Sequence, residues 1–363
     1  MTLLLTGGTG SVGIEFLRCA LDAGAFDEIA VLVRAQGPAD LEVRRCALMR
    51  ALGDSAARPG ATPIRVLAGD VAHAGLGLQP EDDDWVTRGV THVVHAAAVT
   101  DFNADVAQTR PINLDGTRHV MNMVRRLSRL EAVAHVSTLY VAGRRTGLID
   151  EESLDHDAGF VNAYEQTKYE AEQYLRTSCL DLPLATYRLS LLMGRASDGY
   201  VHRTLEAHKM FELFLSGRAR RIPGHPSHTL DMLPTDYAAG VLHRLFLDHF
   251  TPGSTVQIAA GDAAPTGADL VETCRRQLGH AGWDVEWIDA DEWARLRAAD
   301  GGDELSPAAF WMFDVVADYL FLPKRFVRRQ LDERLGAVFA PPRPLDYLPR
   351  IVEARVASRW GRA

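Results

Sequence analysis

Tyr164 and Lys168 are four residues apart in the segment YEQTK. On a helix, residues at this spacing share one face, with a rise of about 6 Å between them. A free tyrosine has a pKa near ~10 and exchanges protons poorly at neutral pH, but a neighbouring ammonium favours the phenolate and lowers that pKa. The lysine also offers three donors to a ribose hydroxyl. We therefore interpret Tyr164 and Lys168 as catalytic residues that deliver a proton beside a nucleotide.

Two hydroxyl residues, Ser137 and Thr138, follow the apolar run Val133–Val136 between the glycine-rich N-terminus and Tyr164. A hydroxyl at the end of such a strand can donate a hydrogen bond to a substrate carbonyl and polarise it. We take Thr138 as the third catalytic residue and Ser137 as the alternative. The competing interpretation is that the hydroxyl only terminates the strand.

A glycine-rich loop, TGGTGSVG, runs from Thr6 to Gly13 directly after the first apolar run. Its glycines have the spacing GxxGxxG, and they allow a tight turn and a close approach of the backbone to a pyrophosphate. The helix that begins there offers free N–H groups and a partial positive charge to phosphate oxygens. The residues of this loop that we predict to bind a dinucleotide are Thr6, Gly7, Gly10, Ser11, Val12 and Gly13.

Arg34 ends the second apolar run, VLVR. In dinucleotide-binding folds an acidic residue at this place binds the ribose 2′-hydroxyl, whereas an arginine accommodates a 2′-phosphate. The guanidinium carries a fixed charge and can hold phosphate through two hydrogen bonds. The sequence therefore predicts NADP(H) as the cofactor rather than NADH.

Three further segments complete the predicted cofactor site. Asp70 and Val71 follow the third strand, where the carboxylate can accept a hydrogen bond from the adenine amino group. Ala96–Ala98 end the fourth strand, and their small side chains leave room for the nicotinamide half. Asn113 precedes a helical run, where it either caps the helix or organises a water of the proton relay.

Short apolar runs alternate with amphipathic stretches over the first two thirds of the chain. This alternation predicts an α/β fold of Rossmann type, in which helices cover both faces of a doubly wound parallel sheet. The predicted strands are Leu3–Thr6, Ile29–Arg34, Ile64–Ala68, His92–Ala96, Ala132–Ser137 and Ala185–Leu189. The predicted helices between them include Val12–Ala23, Asp115–Leu130 and Ala163–Cys179.

After about residue 190 the pattern loosens, and Pro and Gly become frequent. We expect residues 1–190 to form mainly the NADP-binding domain and residues 191–363 a smaller α+β lobe for the substrate, with some interleaving. The predicted elements of this lobe are strands Thr255–Ala259 and Val285–Ile288, helices Ala268–Leu278 and Asp291–Ala298, and a helical tail from Ser306, interrupted at Pro323 and at 341–344.

The composition narrows the function classes. The formal net charge of −9 gives no support for nucleic acid as the main partner. The four cysteines are scattered without metal-ligand spacing, so we expect free thiols and neither a disulfide framework nor a metal site. The sequence shows no signal peptide and no apolar run long enough to span a bilayer, from which we expect a cytoplasmic protein.

With these motifs the chain resembles an extended short-chain dehydrogenase/reductase. The resemblance rests on TGGTGSVG, on GDV at 69–71, on HAAA at 95–98, on VST at 136–138 and on YEQTK at 164–168, and it covers about the first 200 residues. Within that superfamily the chain is most similar to the thioester reductase and fatty acyl-CoA reductase branch. The finer similarity lies in VLVRA (31–35), TYRLSLLMGRASDGY (186–200), LDMLPTDYAAG (230–240) and the Trp293 helix.

The resemblance implies an NADPH-dependent reductase that converts an acyl thioester, bound to CoA or to a carrier protein, to an aldehyde and in some cases on to an alcohol. It implies that hydride reaches the thioester carbonyl carbon, that Thr138 and Tyr164 stabilise the oxyanion, and that Tyr164 supplies the proton. Lys168 would hold the ribose and adjust the pKa of Tyr164. The adenylation and carrier regions that often precede such reductases are not in this sequence.

Three other functions remain open at this point. One is an NADP-dependent ketone or alcohol dehydrogenase with the same catalytic residues. Another is a nucleotide-sugar epimerase or dehydratase, which Arg34 and Ala142 disfavour. The last is a non-catalytic dinucleotide sensor or scaffold, which the presence of both Tyr164 and Lys168 disfavours.

Three groups of residues bear on the substrate. Basic side chains in the first part of the lobe are candidates for the phosphates of CoA or a phosphopantetheine arm: Arg195, His202, Arg203, Lys209, Arg218, Arg220 and Arg221. A second basic group is a candidate for docking an acidic carrier protein or an anionic membrane surface: Lys324, Arg325, Arg328 and Arg329. An apolar cluster is a candidate acyl channel. The apolar candidates are Met210, Phe211, Leu213, Phe214 and Leu215. Solvated helix faces and core packing are the competing interpretations.

Overall fold

The computed structural model describes residues 1–154, 157–202, 208–209, 220–278, 284–299, 307–336 and 339–360. Its centre is a sheet of seven strands in the order β11-β7-β5-β4-β1-β2-β3, and all six pairings are parallel. These strands are β1 (Thr2–Thr6), β2 (Glu28–Val33), β3 (Ile64–Ala68), β4 (His92–His95), β5 (Ala132–Thr138), β7 (Leu184–Leu189) and β11 (Thr255–Ile258). The α/β class and the doubly wound parallel sheet predicted from the sequence are confirmed.

The strand order reverses between β1 and β4, because the chain builds β2 and β3 on one side and later strands on the other. In open α/β sheets, ligands bind outside the carboxyl ends of the strands at such a reversal. The central strands are continuous apolar runs: Leu3, Leu4 and Leu5 are fully buried, as expected where helices cover both faces. The six strands predicted for this sheet from residues before 190 agree with the structure to within one residue at each end.

Helices cover the two faces of the sheet. On one face, α1 (Ser11–Ala23) packs against α8 (Thr235–Asp248), with Phe16 and Phe246 in the buried layer. On the other face, α4 (Pro80–Gly89), α6 (Asp115–Val124) and α7 (Ala163–Ser178) contribute Val86, Met121 and Leu175. The remaining helices of this part are α2 (Pro38–Leu52), α3 (Asp54–Ala57) and α5 (Val106–Asn113).

The helix predicted over Asp115–Leu130 is wrong at its C-terminal end, since α6 stops at Val124. The amides of Arg126 and Leu127 bond to carbonyls three residues back, and Ser128 donates to the carbonyl of Thr87. The chain therefore leaves the helix early and turns across the end of α4 before it enters β5.

The C-terminal part forms a smaller layer with its own apolar cluster, in which Ile222, Phe313 and Tyr347 are buried. Its short strands are β8 (Leu191–Leu192), β9 (Arg221–Pro223), β10 (Met232–Leu233), β12 (Glu286–Ile288) and β13 (Lys324–Phe326). They pair as β8–β10 and β9–β12, and β13 pairs with β6 (Gly147–Ile149), which comes from the part of the chain before α7. Its helices are α9 (Gly267–Leu278), α10 (Ala290–Ala298), α11 (Pro307–Phe321), α12 (Arg329–Leu335) and α13 (Pro344–Trp360).

Residues after 190 do not belong to this layer alone. The run predicted as a lobe strand, Thr255–Ala259, is β11 at the edge of the main sheet, and α8 covers that sheet. In the other direction, Tyr140 leaves the end of β5 and joins the C-terminal apolar cluster. The cluster is thereby anchored beside the carboxyl edge of the sheet. No helix in the described parts of the chain has both the length and the apolarity needed to cross a membrane.

Candidate active site

The glycine loop joins β1 to α1 in a conformation that needs its glycines. Gly7 has φ +74°, and a Cβ there would lie 2.5 Å from the carbonyl carbon of Ala96. A Cβ on Gly13 would lie 2.3 Å from the carbonyl oxygen of Gly7. Gly10 caps α1 without a side-chain hydrogen bond, so the first-turn N–H groups have no side-chain acceptor at the cap. This cradle fits a pyrophosphate in charge and in space.

A cleft of about 200 Å³ extends from this loop over β2 and β3. Its walls include predicted cofactor-binding residues from four separate segments: Thr6, Gly7, Gly10, Arg34, Asp70, Val71, Ala96, Ala97 and Ala98. Arg44, which the sequence analysis missed, lies with Arg34 in this cleft and pairs with Asp40 at 3.0 Å. In the parts of the chain that the structure describes, Arg34 has no ion pair. Asp70 accepts a hydrogen bond from the amide of Ala72 (2.9 Å), so it also shapes its own turn.

A second cleft, of about 210 Å³, continues from the first across the carboxyl ends of β1, β4, β5 and β7. Gly7, Gly10, Ala96 and Ala98 line both clefts. The second cleft also contains Ser11, Val12, Gly13, Thr138, Tyr164 and Lys168. The structure therefore brings the predicted catalytic residues and the glycine loop into one continuous groove.

Tyr164 lies in the first turn of α7, half-buried in the wall of the second cleft. Asn162 caps the N-terminus of this helix, because its side-chain oxygen accepts a hydrogen bond from the amide of Glu165 (3.1 Å). Tyr164 and Thr138 line the same cleft. Burial raises the pKa of Tyr164 to about 12, the neighbouring Thr138 side chain lowers it, and the nearby Glu165 carboxylate raises it. The sequence predicted a lowered pKa; burial outweighs the other influences here. At neutral pH the tyrosine is therefore a proton donor.

Lys168 is buried one turn further along α7 and points at the end of β5. Its Nζ donates to the carbonyl oxygen of Val136 (2.8 Å) and lies 3.2 Å from Nε2 of His135. Burial lowers the pKa of Lys168 to about 8, and the Glu172 carboxylate partly offsets this effect. The ammonium is thus held at the floor of the groove by β5.

The structure distinguishes the two hydroxyl candidates. Ser137 donates to Oε1 of Glu172 at 2.5 Å, and Glu172 forms a fully buried two-point ion pair with Arg188 of β7. Ser137 therefore holds α7 against the sheet. Thr138 Oγ1 accepts a hydrogen bond from the amide of Tyr140 (3.3 Å) and its side chain influences the pKa of Tyr164, so Thr138 is the hydroxyl residue beside the tyrosine.

Asn113 lies behind the groove and is not among the residues that line either cleft. Its Oδ1 accepts from the amide of Val99 (2.8 Å), and its Nδ2 donates to the carbonyl of Val99 (3.1 Å) and to Oγ1 of Thr167 (3.0 Å). Asn113 therefore links the loop after β4 to α7, the helix that carries Tyr164, through hydrogen bonds.

Sequence reasoning missed two buried histidines on neighbouring strands. His95 bonds to Oγ1 of Thr6 (2.7 Å) and of Thr117 (3.1 Å), and its ring lies 5.4 Å from that of His135. Burial, with Lys168 nearby, lowers the pKa of His95 to about 3 and that of His135 well below its usual value. Both rings are therefore neutral. The β4–β5 register that pairs them was not visible in the motif spacing.

The basic residues singled out from the sequence lie in different environments. His202 reaches the glycine loop, where its Nε2 lies 3.1 Å from the carbonyl oxygen of Thr9. Lys324 is buried, whereas Arg220 is exposed. Lys209 is among the described residues, but Arg203, Arg218 and the apolar cluster at 210–215 lie outside them. The remaining candidates have acidic partners: Arg195 with Asp198, Arg221 with Glu286, Arg325 with Asp262, Arg328 with Asp332 and Arg329 with Glu152.

The four cysteines are free, and Cys179 and Cys274 are buried. Within the described ranges, no group of three or more His, Cys, Asp or Glu side chains is arranged to hold a metal ion.

The chain is similar to several known proteins. A putative fatty acyl-CoA reductase of Drosophila melanogaster is 25% identical over 268 residues, which cover 64% of this chain and 52% of the relative. The chain spans about half the length of this relative and of a second Drosophila fatty acyl-CoA reductase.

Solved structures show the same fold. The terminal R domain from the myxalamid PKS-NRPS biosynthetic pathway has a TM-score of 0.81 at 21% identity, covering 99% of this chain and 91% of that one. The reductase (R) domain of a nonribosomal peptide synthetase from Mycobacterium tuberculosis has a TM-score of 0.67 at 20% identity, covering 98% and 92%.

The profile of the Male sterility protein family matches residues 5–242, about two thirds of the chain and all of the groove described above. The chain belongs to the Male sterility protein family, in the thioester reductase and fatty acyl-CoA reductase branch of the extended short-chain dehydrogenases/reductases.

Proposed function

We propose that this chain is an NADPH-dependent reductase that converts acyl thioesters, bound to CoA or to a carrier protein, to aldehydes. One observation carries the proposal. The glycine cradle and the Tyr164–Thr138 pair share one groove, with Gly7, Gly10, Ala96 and Ala98 common to both halves. A dinucleotide whose pyrophosphate lay on Gly10 would extend along this groove toward Tyr164.

The preference for NADPH rests on Arg34. Its guanidinium lies at the end of β2 in the cofactor cleft, exposed and without an ion pair in the described parts of the chain. A ribose 2′-phosphate is an anion that the guanidinium can bind through two hydrogen bonds. Arg44 adds a second positive charge in the same cleft, although Asp40 already neutralises part of it.

The chain's own residues perform the acid–base part of the reaction. Bound NADPH supplies a hydride. Thr138 and Tyr164 donate hydrogen bonds to the thioester carbonyl oxygen, and Tyr164, protonated at neutral pH, transfers its proton there as the carbonyl carbon is reduced. The resulting hemithioacetal loses its thiolate when the Tyr164 phenolate takes back the hydroxyl proton. The thiolate takes a proton from solvent, which leaves an aldehyde and a free thiol.

Lys168 has two roles in this proposal. Its ammonium lies at the floor of the groove on the same face of α7 as Tyr164, where it would hold a ribose hydroxyl of the bound cofactor. Its positive charge also favours the phenolate that forms when Tyr164 gives up its proton. We further propose that the layer formed mainly by residues after 190 binds the substrate, because Leu191 and Leu192 form part of the catalytic cleft.

A substrate panel tests the proposal. NADPH oxidation is followed with acyl-CoA thioesters, with the matching aldehydes and with simple ketones, and aldehyde formation is measured directly with a carbonyl trap. We expect turnover of thioesters with aldehyde as the first product. Turnover of ketones without thioesters or aldehydes supports the alternative, an NADP-dependent ketone or alcohol dehydrogenase with the same tyrosine and lysine.

A further inference from the structure

A small apolar pocket opens off the catalytic cleft beside Tyr164. Its walls are almost entirely apolar, and they come from the loop after β4, from the turn after β5 and from the C-terminal layer. The residues that line it include Phe102, Tyr140, Leu191, Leu230, Val316 and Tyr319.

The pocket is continuous with the catalytic cleft because Phe102, Tyr140 and Leu191 line both. The ring of Phe102 stacks on that of Tyr164, with centroids 6.0 Å apart, and on that of Tyr319 at 5.6 Å. An apolar path therefore begins at the catalytic tyrosine and ends among Leu230, Val316 and Tyr319.

Tyr319 contributes a hydroxyl near the pocket wall, and this hydroxyl already has a hydrogen-bond partner. The hydroxyl of Tyr319 accepts a hydrogen bond from Nδ2 of Asn162 (2.9 Å), and its ring packs edge-on against Tyr140 at 5.0 Å. Tyr319 thus presents ring carbon to the pocket, beside the side chains of Leu230 and Val316. A polar or charged group placed there would lose its hydration without gaining a partner, whereas an apolar group gains from burial.

The two substituents of a thioester carbonyl differ in polarity, and this difference determines which of them fits the apolar pocket. One side of its carbonyl carries the pantetheine arm, with amides and phosphate, which must stay hydrated or paired. The other side carries the acyl group. We infer that the pocket bounded by Phe102, Leu230, Val316 and Tyr319 binds the acyl group of the substrate and selects a short aliphatic chain, an inference that rests on the proposed function.

The size of the pocket supports a short chain. Its volume is about 30 Å³, and a water needs roughly 10–15 Å³ measured in this way, so the pocket has room for about two waters. Val316 of α11 is buried at its wall, and a larger side chain there fills the space. The neighbouring Val315 is half-buried and does not line the pocket, so it offers a matched control.

The test uses Val316→Phe and Val316→Ala, with Val315→Phe as the control. Two quantities are measured over a chain-length series: kcat/KM with acetyl- to octanoyl-CoA, and the Kd of the non-reducible thioethers S-methyl- to S-octyl-CoA by calorimetry. Thermal unfolding of each variant verifies that it is folded. We expect Val316→Phe to lower kcat/KM for butanoyl-CoA at least about tenfold more than for acetyl-CoA, the scale of one or two methylenes in an apolar pocket.

Val316→Ala should move the optimum to longer chains, and Val315→Phe should leave the profile unchanged. Equal loss at every chain length in both Val316 variants, or thioether affinity that does not depend on alkyl length in the unaltered protein, overturns the acyl pocket. Chain-length-dependent binding of the thioethers without turnover of any thioester overturns the proposed function and leaves the pocket standing.

Discussion

Lys168 Nζ lies 3.2 Å from Nε2 of His135 and donates to the carbonyl oxygen of Val136 at 2.8 Å. Because burial holds the pKa of His135 well below its usual value, this ring is neutral and accepts from the ammonium. The lysine of the groove is therefore positioned from beneath by the strand that also carries Thr138. We therefore expect His135 to act through Lys168, as a positioning residue.

The pH dependence of the reaction should follow Lys168. Burial lowers its pKa to about 8, so the ammonium is present below this value and is lost as the pH rises through it. We expect kcat/KM for thioester reduction to fall as the pH rises through about 8. A profile that stays flat well above this pH would show that the charge of Lys168 is not required.

Replacing His135 should change the pH at which kcat/KM falls. His135→Leu removes an acceptor from a buried ammonium, which costs about 1.5–3 kcal/mol, so the apparent pKa should fall by about one unit or more. His135→Gln, which keeps an acceptor near the position of Nε2, is the matched control. Its apparent pKa should stay close to that of the unaltered protein. If both variants lower kcat equally and kcat/KM still falls at the same pH, the role of His135 is only structural.

Arg34→Ala tests the choice of cofactor. Loss of a charge-assisted contact of about 1.5–3 kcal/mol should raise the KM for NADPH by about ten- to a hundredfold and leave the KM for NADH nearly unchanged. Arg44→Ala is the comparison, with a smaller effect because Asp40 already pairs with that guanidinium. Equal effects of Arg34→Ala on both cofactors would contradict recognition of the 2′-phosphate.

The buried pair Glu172–Arg188 should matter for stability. Both side chains are 1% exposed, so Arg188→Met leaves a carboxylate buried without its partner, which should lower the free energy of unfolding by about 3–5 kcal/mol. The double variant Glu172→Leu/Arg188→Met should recover much of the loss. Chemical denaturation measures both.

The exposed pair Arg125–Asp181 has similar two-point geometry and serves as the control for Arg188→Met. Water already screens this pair, so Arg125→Met should have a far smaller effect. A comparable loss at both sites would show that burial does not decide the cost.

The strands of the main sheet were predictable because a parallel strand buried on both faces is a continuous apolar run, as in Leu3–Leu5. The end of α6 was not, since its helical periodicity continues to Leu130 and only the contact of Ser128 with Thr87 turns the chain away. The place of Thr255–Ile258 in the main sheet was also hidden, because local sequence does not show which strand it pairs with.

In the site, the residues found from sequence are those with short-range spacing, such as Gly7, Gly10, Tyr164 and Lys168. Those missed act through long-range pairing. His135 reaches Lys168 only because β5 packs under α7, and Phe102 reaches Tyr164 from the loop after β4. The lowered pKa expected for Tyr164 was wrong because its burial is a property of the folded chain.

The central claim is that Tyr164 donates the proton when a thioester is reduced with NADPH. The most direct measurement is aldehyde formation from butanoyl-CoA and NADPH by the unaltered protein and by Tyr164→Phe, together with the Kd for NADPH of each. We predict aldehyde from the unaltered protein, a rate lower by about 10²- to 10⁴-fold in the variant, and nearly equal affinity for NADPH. No aldehyde from the unaltered protein, or an undiminished rate in Tyr164→Phe, would contradict the claim.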